Sequence, residues 1–123
     1  MHQETEEKKL LESIIEGIKE KKGEEIVQIS LLELENSITD YFIICHAQSG
    51  RQADAIADNI EKRLSKNFNE HVIHKEGFSQ AEWILLDYSN IVVHVFQKDV
   101  RNQYQLEDLW GDGKFTRFND QNE

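Results

Sequence analysis

The chain has 123 residues, one cysteine, no proline, and 24 acidic against 14 basic residues, which gives a net charge of −10. This length suits a single domain whose core is stable without disulfides or a metal ion. The excess of carboxylates repels nucleic-acid backbones, because proteins bind those backbones through Lys and Arg. We therefore expect little direct nucleic-acid contact, and either attraction to a basic partner or a charge that only keeps the chain in solution.

The N-terminus and the cysteine indicate the compartment. The segment MHQETEEKK is charged and lacks the apolar stretch of a secretory signal. No apolar run approaches the ~20 residues that span a bilayer. Cys45 lies in the apolar run YFIIC and is expected to be buried in a reducing environment. These features predict a soluble, cytoplasmic protein without membrane association.

The first half of the chain predicts a helix, two strands and a second helix. Apolar residues at helical spacing predict the first helix over residues 6–22, with Gly23 at its C-cap. Residues 25–31 predict a strand, and the uninterrupted apolar run 41–47 is typical of a central strand covered on both faces. The sequence SGRQ matches a capping box with Ser49 as N-cap, so the second helix begins there.

The second half predicts three strands, a short helix and a tail. One strand is predicted over residues 71–76, followed by two apolar strands that meet at Ser89 and Asn90, and by a helix over 98–103. This order indicates an α/β (α+β) fold: a single domain over residues 1–110, with a mixed sheet of about five strands packed by helices. The polar tail, residues 111–123, is expected to be disordered or to pack locally.

The predicted hairpin WILLDYSNIVVHVF, residues 83–96, has two different faces. A two-residue turn pairs Leu85 with His94, and side chains alternate between the faces along each strand. The first face is almost wholly apolar and is expected to be core; it contains Ile84, Leu86, Tyr88, Ile91, Val93 and Val95. The second face is mixed; it contains Trp83, Leu85, Asp87, Val92, His94 and Phe96.

Asp87 and His94 on the mixed face raise the question of catalysis. As diagonal neighbours they could reach one another, and the carboxylate could orient the imidazole or raise its pKa. A nucleophile is missing, because Ser89 is in the turn and Cys45 is predicted to be buried in another strand. A structural hydrogen bond, or a polar part of a contact surface, explains the pair better than an active site does.

Two further features fit ordinary structural roles. His71 and His74 would point to opposite faces of a strand, which does not suit two ligands of one metal ion. Ser49 and Gly50 before a helix resemble a phosphate site, but the capping box explains them and no Walker-type lysine accompanies them. We expect no metal, no cofactor and no catalytic residue.

The segment after the hairpin adds apolar and aromatic residues: Tyr104, Leu106, Leu109 and Trp110. Part of this set is expected to seal the edge of the core. The rest, beside Trp83 and Phe96, is expected to form an exposed aromatic patch ringed by acidic side chains. Tyr and Trp are typical interface anchors, and an acidic rim selects a basic partner.

Three segments follow one another in the chain, ITDYFIIC, SGRQADAIADNIEKRL and AEWILLDYSNIVVHVFQKDVRNQYQLEDLW, within a family resemblance that runs from about Leu10 to Trp110. In this order they resemble the ribosomal silencing factor family, RsfS, also called Iojap-like. The resemblance implies a nucleotidyltransferase-like topology without the catalytic carboxylates. It also implies binding to the large (50S) ribosomal subunit through its ribosomal protein number fourteen, a steric block to joining of the small subunit, and damped translation when nutrients are short. The resemblance further implies that the protein is a homodimer when free.

The family motifs W.LLDY, VVHVF and R..Y.LE.LW, carried over by position, assign the partner-binding residues. These are Trp83, Leu85, Asp87, Tyr88, His94, Phe96, Tyr104, Leu106, Glu107 and Trp110. Ser89 departs from the family pattern, which usually has Gly after DY. Asn90 tolerates a positive φ, so the turn is expected to survive with its type left open.

The sequence thus predicts a non-enzymatic silencer of translation that binds a basic ribosomal-protein surface. The alternative is a nucleotide-binding or nucleotidyltransferase-like enzyme that uses Asp87, His94 and the helix N-terminus at Ser49. Such an enzyme needs two acidic residues that hold a divalent metal against phosphates, and no D-x-D pair lies on a predicted strand. A third interpretation is a dimerisation module whose aromatic patch is its own interface. Whether dimerisation and ribosome binding use overlapping surfaces stays open.

Overall fold

The computed structural model describes residues 2–34, 37, 39–77, 81–109 and 111–118. Over these residues the helices are α1 (His2–Glu20), α2 (Gly50–Phe68), α3 (Lys98–Tyr104) and α4 (Leu106–Leu109). The strands are β1 (Glu24–Ser30), β2 (Tyr41–Ala47), β3 (His74–Glu76), β4 (Trp83–Asp87), β5 (Ile91–Gln97) and β6 (Lys114–Phe118). In the described ranges, no helix is long and apolar enough to cross a bilayer.

The six strands form one mixed sheet in the order β3-β4-β5-β2-β1-β6. Strands β2 and β5 pair in parallel, and the other neighbouring pairs are antiparallel. Both central strands are mostly apolar, with His46 in β2 and His94 and Gln97 in β5 as the exceptions, and all residues of β2 after Tyr41 are buried. Such runs need cover on both faces of the sheet. The predicted mixed α/β sheet, with residues 41–47 as a central strand, is therefore confirmed.

The two edge strands differ most from the prediction. Strand β3 begins at residue 74 rather than 71, and its three residues are exposed. Residues 114–118, predicted to be part of a tail that is disordered or packs locally, form β6 antiparallel to β1. Phe115 packs on one face of the sheet and Phe118 on the other, so two aromatic side chains anchor this edge. The sheet therefore has six strands rather than about five, and the domain does not end at residue 110. Residues 119–123 lie outside the described ranges.

Different helices cover the two faces of the sheet. Helices α1 and α2 pack on one face, over a core cluster that includes Ile14, Ile56 and Ile84. The short helices α3 and α4 lie on the other face, over a second cluster that includes Phe96 and Leu106. Because α3 and α4 are short, they cover the central strands on this second face but leave β4 less covered. Alternate residues of β4 therefore stay half-buried.

The ends of the long helices show how local sequence sets their length. The N–H of Gln52 donates to Ser49 Oγ at 3.1 Å, which confirms Ser49 as the N-cap of α2. At the end of α1 the positive φ falls on Lys22, at 65°, rather than on the predicted Gly23. Gly23 is needed for space, because a Cβ there would lie 2.4 Å from Cγ2 of Ile18.

The register of the hairpin agrees with the two-residue turn. Leu85 lies opposite His94, and the N–H of Tyr88 donates to the carbonyl of Ile91 at 2.9 Å. Alternation then places the apolar face of the hairpin under α1 and α2, and the mixed face on the side of α3 and α4. The sorting of hairpin residues into two faces is confirmed.

The turn forms although Ser89 stands where the family usually has Gly, but the residue with the positive φ is not the expected one. Ser89, rather than Asn90, has the positive φ, at 77°. Its N–H donates to Asp87 Oδ1 at 2.7 Å, and its carbonyl accepts from Thr39 Oγ1 at 2.8 Å. These hydrogen bonds hold a serine in the left-handed region where glycine is usual. Asp87 therefore has a structural role in the turn.

Candidate docking surface

Four side chains reach the surface where the second sheet face is least covered. We call them the docking surface: Trp83, Leu85, Asp87 and Tyr104. The first three, on β4, are half-buried, and Tyr104 at the end of α3 is 54% exposed. The ring centroids of Trp83 and Tyr104 are 4.7 Å apart, so α3 brings its tyrosine against the indole. Partly exposed aromatic pairs of this kind are typical of protein interfaces.

Two predicted site residues support the docking surface from below. The ring of Phe96 is fully buried, with its centroid 4.8 Å from that of Trp83. His94 is also buried, and its Nδ1 accepts a hydrogen bond from Trp83 Nε1 at 3.0 Å. Because an indole N–H can only donate, the proton of the neutral imidazole lies on Nε2. Burial lowers the pKa of His94 to about 4, so this neutral form dominates at neutral pH.

The remaining predicted residues lie elsewhere. Tyr88 is buried on the opposite face, in the cluster beneath α1 and α2. Leu106 is buried in the second cluster, and Glu107 accepts a hydrogen bond from Arg101. Trp110 lies outside the described residues. Tyr88 and Leu106 are thus core residues: the motif marked them, but their side chains are not presented to a partner.

Asp87 and His94 share a face without acting as a pair. The carboxylate of Asp87 accepts from the N–H of Ser89, and Nδ1 of His94 accepts from Trp83. Cys45 is buried, and this burial raises the pKa of its thiol to about 12, which keeps it protonated. In the part of the chain that the structure describes, no group of three His, Cys, Asp or Glu residues could hold a metal ion. The geometry gives Asp87 and His94 structural partners instead of each other.

A small cavity adjoins the docking surface on its β3 side. It has a volume of about 180 Å³ and is lined by Glu76, Gly77, Trp83 and Leu85. Gly77 has a φ of +88°, and a Cβ there would lie 1.9 Å from the carbonyl oxygen of Trp83. A side chain at residue 77 therefore cannot cover the apolar wall of the cavity, which Trp83 and Leu85 form. An apolar wall beside a carboxylate suits the aliphatic stem and charged head of a Lys or Arg.

A buried arginine outside the predicted set holds the helices that flank the docking surface. The guanidinium of Arg101, 5% exposed, donates to the carbonyl of Glu25 at 2.7 Å, to His46 Nδ1 at 3.0 Å and to Glu107 Oε2 at 2.6 Å. These bonds tie α3 to β1, β2 and α4, and so fix the helix that carries Tyr104. Burial, together with the nearby charge of Arg101, lowers the pKa of His46. The arginine stands in the motif R..Y.LE.LW, but a motif does not tell a buried anchor from a contact residue.

The buried imidazole of His94 predicts a pH dependence of stability. In the unfolded chain its pKa is near 6.5, and in the folded chain it is about 4. Between these values the unfolded chain binds a proton on this residue that the folded chain does not. Lowering the pH from 6.5 to 4 should therefore cost about 3 kcal/mol of stability at this residue alone.

Urea unfolding of the wild type and His94→Phe at several pH values between 7 and 4 checks this expectation. Other titrating groups cancel in the comparison, so the stability of the wild type relative to the variant should fall by about 3 kcal/mol across the window. Parallel stability curves would contradict the assignment of a buried neutral histidine.

Comparison with known proteins identifies the family. Residues 3–123 match the family model described as "Ribosomal silencing factor during starvation". The chain belongs to the ribosomal silencing factor family. This membership confirms the resemblance found in the sequence. The match also includes β6, a segment in which we identified no family motif.

Individual relatives and a solved structure are similar over more than half of the chain. The ribosomal silencing factor RsfS of Bacillus subtilis is 40% identical over 106 residues, which are 86% of this chain and 88% of that protein. A crystal structure of a Chromobacterium violaceum protein superposes with a TM-score of 0.80 at 30% identity and covers 85% of each chain. A more distant mouse relative, named mitochondrial assembly of ribosomal large subunit protein 1, is 30% identical over 74 residues, 58% of this chain and 32% of its own length.

Proposed function

We propose that this protein is a non-enzymatic translational silencer that binds the large ribosomal subunit. It does so through the large-subunit ribosomal protein number fourteen, and its bulk blocks joining of the small subunit. In this proposal it acts in the cytoplasm and is a homodimer when free. The observation that carries the proposal is the docking surface, an aromatic patch with acidic neighbours in a chain of the ribosomal silencing factor family.

The aromatic part of the docking surface supports a protein partner. The rings of Trp83 and Tyr104 pack against each other with their planes tilted by 53°, and Trp83 also packs on the buried ring of Phe96, so their exposed area rests on a rigid base. Rigid, partly exposed Trp and Tyr residues are the commonest sources of binding energy at protein interfaces. They lose little side-chain freedom on binding, because the contacts beneath them already hold them.

The charges around the docking surface support a basic partner. Asp87 belongs to the surface, and Glu76 lines the adjoining cavity beside Trp83. The whole chain carries a net charge of −10, which attracts a basic protein and repels the ribosomal RNA around it. A basic ribosomal protein that inserts a Lys or Arg side chain into the cavity meets both an apolar wall and a carboxylate.

The proposal is tested with purified ribosomal subunits. We expect the protein to co-sediment with large subunits but not with small ones, and to bind isolated ribosomal protein number fourteen. Large subunits loaded with the protein should form fewer intact ribosomes when small subunits are added, as measured by light scattering. Co-sedimentation with neither subunit, or normal joining after loading, would contradict the proposal.

Removal of one charge tests the acidic part of the docking surface. Asp87→Asn keeps an oxygen that accepts from the N–H of Ser89, so the turn is retained while the charge is lost. We expect about three- to ten-fold weaker binding to large subunits at low salt, and a smaller difference at high salt, because the lost attraction is screened. Asp58→Asn on the exposed side of α2 is the matched control and should bind normally. Equal binding by Asp87→Asn and wild type at low salt would remove Asp87 from the interface.

A further inference from the structure

We propose that His94 is a positioning residue for Trp83: its buried imidazole accepts the indole N–H and fixes the orientation in which the indole meets the partner. The effect on binding rests on the proposed function. The effect on the indole itself does not, because it is a property of the isolated protein.

The hydrogen bond decides which edge of the indole points outwards. The one polar atom of the Trp83 side chain is Nε1, and it donates inwards to His94 Nδ1 at 3.0 Å. The polar edge is thereby satisfied within the protein, and the exposed part of the ring is apolar. Ring packing against Phe96 and Tyr104 limits movement of the indole but has little directional preference. The hydrogen bond from Nε1 to His94 therefore sets the orientation of the indole ring.

The surroundings of His94 indicate that the histidine is present for its nitrogen rather than for packing. Its neighbours on the same face of β5, Val92 and Phe96, are apolar and buried. The Nε2 atom of His94 is buried without a hydrogen-bond partner among the described residues. The ring of Phe42 packs against the imidazole, with 4.9 Å between the ring centroids. A half-satisfied buried imidazole costs stability that an apolar residue would not. The hydrogen bond that the imidazole accepts from Trp83 is the interaction that an apolar residue at this position could not make.

The first experiment measures the indole N–H by NMR. The chain has two tryptophans, so a Trp110→Phe background leaves Trp83 as the single indole signal. We expect this N–H to exchange slowly with solvent, and to exchange at least about five-fold faster when His94→Phe removes the acceptor and keeps a ring. His94→Asn places an amide oxygen near the position of Nδ1 and should restore part of the protection. Unchanged exchange in His94→Phe would overturn the proposal.

The second experiment measures binding in the otherwise wild-type chain. His94→Phe should weaken co-sedimentation with large subunits about five-fold, and His94→Asn should recover part of the loss. Trp83→Phe removes the same hydrogen bond from the other side, so the double variant should bind no worse than the weaker single variant. Trp83→Phe also serves as the test if His94→Phe does not fold, as judged by circular dichroism.

The possible failures are distinguishable. Normal binding by both His94→Phe and Trp83→Phe, with weak binding by Trp83→Ala, would overturn the positioning role and leave the docking surface intact. Normal binding by Trp83→Ala would instead overturn the docking surface, and with it the binding half of the inference. The exchange rate of the indole N–H decides the structural half in either case.

Discussion

Trp83→Ala should bind large ribosomal subunits at least about 30-fold more weakly than the wild type, which corresponds to the 2 kcal/mol that defines a dominant interface residue. The substitution removes the indole that contacts the ring of Tyr104 in the docking surface, the buried ring of Phe96 beneath it and the adjoining cavity, which the indole lines. It also removes the indole that packs against Tyr104 and leaves that tyrosine its longer ring contact with Phe96, at a centroid distance of 6.5 Å. Because Trp83 is half-buried at the start of β4, the central sheet should persist without it.

Co-sedimentation over a range of protein concentrations measures this loss. Val72→Ala is the control, because Val72 is an apolar residue that packs against the cluster under α2, on the other side of the sheet. The control should bind normally, and both variants should keep the circular dichroism spectrum of the wild type. Wild-type binding by a folded Trp83→Ala would show that the partner binds another surface.

Arg101→Ala should lower the free energy of unfolding by about 3 kcal/mol, the lower end of the range for breaking a buried ion pair. The loss leaves the carbonyl of Glu25 and Nδ1 of His46 without their donor, and the carboxylate of Glu107 without its cation. Glu107 keeps 22% side-chain exposure, so water partly compensates it, which is why we expect the lower end of the range. For a chain of this size the melting temperature should fall by about 10 °C.

Urea or thermal unfolding measures the effect of Arg101→Ala on stability. Two further variants separate the contribution of the charge from that of the hydrogen-bond geometry and give the size of an exposed ion pair for comparison. Arg101→Lys keeps the charge but cannot donate in three directions from a planar group, so it should recover only part of the stability. Lys62→Ala breaks the exposed ion pair with Asp58 on α2 and should change the stability by less than about 1 kcal/mol. A loss for Arg101→Ala no larger than that of Lys62→Ala would contradict a structural role of the network.

The central sheet and the hairpin could be predicted because their signals are local. Alternation along residues 83–96 sorted the side chains into two faces, and a two-residue turn set the pairing of Leu85 with His94. Both follow from the geometry of an extended chain, in which neighbouring side chains point to opposite sides. The N-cap at Ser49 was readable for the same reason, since its partner Gln52 lies three residues away.

The edge strands were predicted less well than the centre: β6 was missed, and β3 was predicted over residues 71–76 but begins at residue 74, because the evidence for both is spread over the chain. The segment KFTRF has only two apolar residues, and it forms β6 because β1 offers a free edge with Ile29 opposite Phe115. Strand β3 is three exposed residues that pair with β4. Short strands of this kind gain little from their own side chains, so the partner strand decides whether they form.

The candidate site divides in the same way. Sequence motifs marked ten residues, but burial separates Trp83, Leu85, Asp87 and Tyr104 from those that support them or lie in the core. Tyr88 shows the difference most clearly. Its place in the alternation of the hairpin predicted a core position, whereas the family motif assigned it to partner binding. The structure agrees with the alternation, because Tyr88 belongs to the core cluster. A motif reports that a residue matters without reporting whether its side chain is exposed.

The sequence by itself determined the family, the mixed sheet with 41–47 at its centre, the two faces of the hairpin and the acidic character of the chain. These depend on residue type and on spacing within one segment. Only the tertiary structure decided that Asp87 bonds to the turn, that His94 bonds to Trp83 and that Arg101 joins β1, β2 and α4. Glu107 is 6 residues from Arg101, and the other partners of His94 and Arg101 lie 11 to 76 residues away in the chain. A hydrogen bond depends on distances of a few tenths of an ångström that only packing sets.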